Sequence, residues 1–157
     1  MEVLMLSSLI GKEVLEIRYH YKYENEWGLS NYKSFIRLTG NIIIDIPMFD
    51  DVEFRKETPE NLSYYRKKFD SGKPVSDEAK TKVEGQTIAD FFFCYDNNGD
   101  FHDLGSGYIL LSNGYYLVER THAPPGIAAG LWILDEKEFN ERNRRFDIDV
   151  RSFLNPG

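Results

Sequence analysis

The chain has 157 residues, 41% hydrophobic and 15% aromatic, which suits one domain with a real core and excludes general disorder. Its 26 acidic residues against 19 basic ones leave a formal charge of −7. That balance argues against direct binding to nucleic-acid phosphates and favours a basic protein partner. A single cysteine, Cys94, excludes a disulfide framework and fits a reducing compartment.

The opening "MEVLMLSSLIGKEV" has a medium apolar run but an acid at position 2 and no small-residue cleavage site. No stretch approaches the roughly 20 apolar residues of a membrane span. A cytoplasmic protein without membrane association is expected. The first strand is predicted over 11–22 and the second over 34–39. "TGN" (39–41) then turns the chain into a third, 42–46. "TPENLSYYRKKFDSG" (58–72) has Thr58 to cap, Pro59 to start and Gly72 to stop a helix, with Leu62, Tyr65 and Phe69 on one face. Residues 73–84 are polar and read as a connector that could hold one helical turn.

A second strand set follows: 85–95, then 107–120, where Asn113-Gly114 between apolar runs signals a hairpin with a type I′ turn. "LWIL" (131–134) reads as a further short strand. In 135–146 acids come early and arginines late, which suits a helix dipole, and 146–153 alternates as a last strand.

The two strand sets are alike. "GKEVLEIRYHY" (11–21) lies over "GQTIADFFFCY" (85–95), and "FIRLTGNIII" (35–44) lies over "YILLSNGYYL" (108–117). The offset is nearly constant, so an internal repeat is expected, with units about 11–47 and 85–122 in a single domain. The predicted fold class is α+β: an antiparallel sheet built from two duplicated three-stranded meanders, with a helix between them and one near the C-terminus.

Several stretches invite a chemical reading. Asp96-x-Asn98-x-Asp100 begins like an EF-hand loop, but the sixth position is Phe101 and the twelfth is Gly107, where Gly and Glu are required. An acidic turn is the expectation, with no metal. His102, His122, Arg120 and Asp103 could form a hydrolase site only if the fold converges them. His20 alternates with tyrosines and is expected on an exposed strand face. Cys94, after three phenylalanines, is expected to be buried and inert. "HAPPGIAAG" (122–130) lacks the Gly-Lys-Ser/Thr ending of a phosphate loop. No catalytic residue and no cofactor is assigned.

In a meander, the first connection and the exit from the third strand share one end. The loops 22–33, 47–53, 96–106 and 120–126 should therefore form one rim, which carries most of the net negative charge. Its acids are Asp50, Asp51, Glu53, Asp96, Asp100 and Asp103, and its large apolar groups are Trp27, Met48, Phe49 and Phe101. Acids around apolar anchors are the composition of a partner-binding surface. The paired "G-x-x-[VI]-x-[ED]" openings, the "SNG" hairpin and the loops "MFDDVEF" and "DNNGDFHD" resemble the immunity proteins of bacterial toxin–immunity pairs. That resemblance implies a tight complex with a basic toxin domain and transfers no individual residue role. The alternatives are a small-ligand or regulatory domain with a pocket between the units, and an unrecognised His/Asp hydrolase.

Overall fold

The computed structural model describes residues 2–24, 29–46, 53–57, 59–103, 107–120, 122–123 and 129–155; for 2–5, 23–24, 29, 53–57, 59–62 and 122–123 only the backbone is described. The chain begins with β1 (Glu2–Met5) and one helical turn, α1 (Leu6–Leu9). The first meander is β2 (Val14–Glu24), β3 (Leu29–Leu38) and β4 (Ile42–Ile44). β5 (Glu53–Glu57) pairs with β1 in a separate ribbon, and α2 (Pro59–Asp70) leads to β6 (Lys73–Pro74). α3 (Asp77–Val83) precedes the second meander, β7 (Ile88–Tyr95), β8 (Tyr108–Leu111) and β9 (Tyr116–Arg120). β10 (His122–Ala123), β11 (Gly130–Leu134), α4 (Glu136–Arg145) and β12 (Asp149–Ser152) complete the fold.

Two antiparallel sheets result, ordered β10-β3-β2-β6, with β4 also on β3, and β11-β9-β8-β7-β12. The α+β fold class follows from this arrangement. Among the described residues no helix is long and apolar enough to cross a membrane.

The two meanders share their register. Ile17 faces Ile36 and Ile36 faces Ile44; in the second unit Phe91 faces Ile109 and Ile109 faces Leu117. Each first strand carries an irregularity at the same place, between Val14 and Glu16 and between Ile88 and Asp90. The match also runs past the meanders. In each unit a helix follows and delivers a strand to the outer edge of the first strand: β6 opposite Arg18 and Tyr19, β12 opposite Phe92 and Phe93.

A local two-fold seam joins the units. The Gly11 N–H donates to the Ile88 carbonyl and the Gly85 N–H to the Val14 carbonyl, both at 2.8 Å. The Ile88 N–H donates to Lys12 and the Val14 N–H to Gln86, at 3.0 and 2.8 Å, around a bridge between Glu13 and Thr87. This is the reciprocal pattern of an isologous interface, made within one chain. Gly11 and Gly85 sit at φ +85° and +87°, where a side chain is strained.

Alternation along the strands divides the apolar residues into layers. Val14, Ile17, Ile36, Leu38 and Ile44 join Ile88, Phe91, Ile109, Leu111 and Leu117 in one core between the sheets. On the outer face of the first sheet, Phe69 of α2 packs with Phe35 and Ile43. On that of the second, Phe139 of α4 packs with Cys94, Tyr108 and Val118. Each such burial contributes about 1.5–3 kcal/mol.

Some expectations give way. β2 and β3 run on through Lys22 and Asn31, so most of the stretch read as the loop 22–33 is ladder. Residues 73–84 are not a plain connector: they hold β6 and α3, capped by the Ser76 hydroxyl accepting from the Ala79 N–H at 3.2 Å. Only two of its residues are apolar enough to signal a buried face. The Asn113-Gly114 hairpin forms, but only Gly114 has positive φ, so the turn is not type I′. Leu111 and Tyr115 close a three-residue loop instead, while the Asn113 amide donates to the Lys82 carbonyl. His20 is not an exposed strand position. Its ring nitrogen lies 2.6 Å from the Lys68 carbonyl, and Arg18 donates to Phe69 and Asp70 carbonyls, so both fasten the C-terminal end of α2.

Candidate functional site: a charged aromatic rim on the second unit

The loop after β7 is built by one carboxylate. Asp96 Oδ1 accepts from the Asn98 and Asp100 amides at 2.9 and 3.0 Å, and the Asp96 N–H donates to the Asp100 carbonyl at 2.7 Å. Gly99, at φ +81°, lets the chain close. The acid that opens the calcium-like motif therefore serves its own backbone, as Asx turns do. Among the described residues no group of three or more His, Cys, Asp or Glu is placed to hold a metal ion.

Beyond the turn, Phe101 bridges back to Tyr95, and the two rings stack with centroids 5.1 Å apart. The Arg151 guanidinium lies 4.2 Å from the Tyr95 ring. Phe101 nevertheless stays 37% exposed, with Asp100 and Asp103 exposed beside it. His102 anchors the far end: its N–H donates to the Cys94 carbonyl, and its ring nitrogen sits 2.9 Å from the carbonyl of Phe146, just past α4. The described part of the loop, 96–103, is thus held at Asp96, Phe101 and His102.

At the same end of the sheet, a groove of about 470 Å³ runs between α4 and the β9–β11 pair. Arg120, Trp132, Arg142, Arg145 and Phe146 line it, with Glu138 and Glu141 on the helix side. Arg120 lies 5.0 Å over Trp132 and Arg145 lies 5.3 Å over Phe146. Arg142 donates to the Tyr108 hydroxyl, which in turn donates to Asn143 Oδ1 at 2.7 Å. Burial pushes the Tyr108 phenol up to about 12 against the opposing pull of Arg142.

Of the residues expected on the rim, Asp96, Asp100, Phe101 and Asp103 come together on this loop. Glu53 opens β5, where its backbone pairs with Met5. Trp27, Met48, Phe49, Asp50 and Asp51 lie outside the described residues. The hydrolase residues do not form a described cluster: His102 is committed to Phe146 and Arg120 to Trp132, and the side chain of His122 is not described. Among the described residues, apolar side chains of both units pack together in one core.

Trp132, Arg142, Arg145 and Phe146 were not on the expected rim. Their signal was partly there, since Trp132 alternates outward within "LWIL" and the late arginines of α4 read only as dipole partners. No protein-family model, curated protein or solved structure matches the chain.

Proposed function

We propose that this protein is a protein-binding inhibitor of the immunity kind, which neutralises a basic toxin domain by seating it on the rim at the end of the second unit. The observation that carries the reading is Phe101: a large apolar ring held partly exposed by its stack on Tyr95, among Asp96, Asp100 and Asp103. Its position is prepaid by the Asp96 turn and the His102 anchor, so little conformational entropy is lost on association. The carboxylates would steer a basic surface in, and Phe101 would hold it. The same reading places the protein in the cytoplasm of a bacterium, where a self-made toxin must be masked.

The test begins with tagged protein used to capture its partner from the host, and with the product of any toxin reading frame directly upstream. The purified partner is then measured against the wild type and a Phe101→Ala variant by surface plasmon resonance. A nanomolar complex that dissociates at least tenfold faster from Phe101→Ala is expected. A complex indifferent to Phe101, or no neutralisation of the upstream toxin in co-expression, would overturn the reading.

A further inference from the structure

We propose that the groove between α4 and the β9–β11 pair is a binding site for a small organic oxyanion, a phosphomonoester or carboxylate carried on a flat unsaturated body. This site is independent of the partner-binding reading.

Charge is the first argument. Three guanidinium groups, from Arg120, Arg142 and Arg145, line one groove on a protein of net charge −7. Several other basic side chains meet carboxylates: Arg18 and Arg37 meet Glu16, Lys33 meets Asp45, Lys82 meets Glu78, and Arg151 meets Asp149. The three groove arginines form no ion pair among the described residues; each is oriented by an aromatic ring instead. Of the two acids on the wall, Glu138 is engaged by the Asp135 N–H in the α4 capping box. The groove thus sets three guanidinium groups against the carboxylates of Glu138 and Glu141, and an arriving oxyanion meets the excess positive charge while gaining charge-assisted hydrogen bonds.

The second argument comes from the internal repeat. The position of Tyr108 is taken in the first unit by Phe35, which packs against Phe69 and Ile43 with no polar atom. In that unit the polar fastening of the helix comes from Arg18 and His20 at the C-terminal end of α2, not from a chain buried beneath it. The second unit instead buries a polar chain, Asn143–Tyr108–Arg142, whose outer end fixes one guanidinium at the groove. The position of Val118 is likewise taken by Asp45, which is neutralised by Lys33. The arginine groove is not a demand of the fold.

Third, the volume and lining suit a small ligand. About 470 Å³ lies in the range of ligand sites. A guanidinium recognises phosphate or carboxylate through paired N–H donors, and only one of the five donors of Arg142 is given to Tyr108. Trp132, and Phe146 at 37% exposure, offer flat apolar surface for the ligand body.

The experiment uses phenyl phosphate as the probe, with phenol and inorganic phosphate as controls, followed by the indole N–H and arginine Nε–H resonances of ¹⁵N-labelled protein. Saturable shifts at Trp132 with a dissociation constant of about 1 mM or tighter are expected. Phenol should give none, and inorganic phosphate should bind at least about tenfold more weakly for want of the ring contact. Arg120→Ala and Arg145→Ala, half-exposed or exposed positions whose backbone spectra should match the wild type, should each weaken phenyl phosphate roughly tenfold. No saturable shift at Trp132, equal shifts with phenol, or affinity unchanged in both variants would each overturn the proposal. No protein partner enters the measurement, so its failure leaves the rim reading standing.

Discussion

Thr39 and Ser112 perform the same task on opposite sides of the two-fold seam. The Thr39 hydroxyl accepts from the Glu13 N–H at 3.2 Å while the Thr39 N–H donates to the Glu13 carbonyl at 3.0 Å. The Ser112 hydroxyl accepts from the Thr87 N–H at 3.0 Å while the Ser112 N–H donates to the Thr87 carbonyl at 2.9 Å. Both amides fall beside the strand irregularity, where the ladder leaves them without a regular partner. Thr39→Val and Ser112→Ala should therefore each cost about 1 kcal/mol. Urea titration checks this, and the two losses should be similar.

Glycine positions separate two kinds of constraint. An added Cβ at Gly11 or Gly85 meets nothing within 4 Å, so alanine there costs only the left-handed backbone, about 1 kcal/mol each. At Gly72 the added atom would lie 2.9 Å from Arg18 Cβ and 3.2 Å from two carbonyl oxygens at the end of α2. Gly72→Ala should cost more, about 2–3 kcal/mol, by pushing α2 off Arg18. Denaturant midpoints that rank Gly72→Ala as the mildest of the three would contradict this.

The acidic loop offers a contrast among neighbours. Asp96→Ala removes the acceptor of two amides and should cost about 1–2 kcal/mol, whereas Asp100→Asn and Asp103→Asn should be nearly neutral. Millimolar calcium should leave the melting temperature unchanged, because a cation bound to the native state alone would raise it. A rise of several degrees would show that the carboxylates coordinate an ion after all.

Alkaline pH should unfold the protein through its buried acids. Burial pushes the Cys94 thiol from 9.0 to about 11 and the phenols of Tyr32 and Tyr108 from 10.0 to about 12. The unfolded chain gives up these protons first, so stability is full below pH 9 and is lost as pH rises through 9–12. Cys94 alone accounts for about 2–3 kcal/mol of that loss. In Cys94→Ala the decline should start nearer pH 10, as read from melting temperature against pH. The native thiol should also resist alkylation at pH 8.

With the partner in hand, charge and anchors should act on different rate constants. Neutralising Asp50, Asp51 and Glu53, or Asp100 and Asp103, should slow association several-fold and flatten its salt dependence. Truncating Phe101 or Trp27 should shorten the lifetime of the complex with little change in association. If both sets change only the dissociation rate, the carboxylates do not steer.

Much of the fold was legible because it rests on local patterns. The apolar alternation of 14–19 and 88–95 marks strands, Asn113-Gly114 marks a hairpin, and Asp135 with Glu138 marks a helix start that forms a capping box. The near-constant offset between the two halves marks matched strand registers. What only the tertiary structure decided is non-local. The seam at Gly11, Val14, Gly85 and Ile88 is made by backbone amides and carbonyls, which are the same in every residue and leave no signature beyond two glycines. α3 went unread because its buried face is just Ala79 and Val83, apolar contacts that matter only once β2 lies beneath them. The groove joins Arg120, Trp132 and Arg142 from a strand end, an edge strand and a helix, and nothing local to any of them says they meet. That meeting follows from Phe139 packing α4 over Tyr108 and Val118, because hydrophobic burial is indifferent to sequence distance while sequence patterns are not.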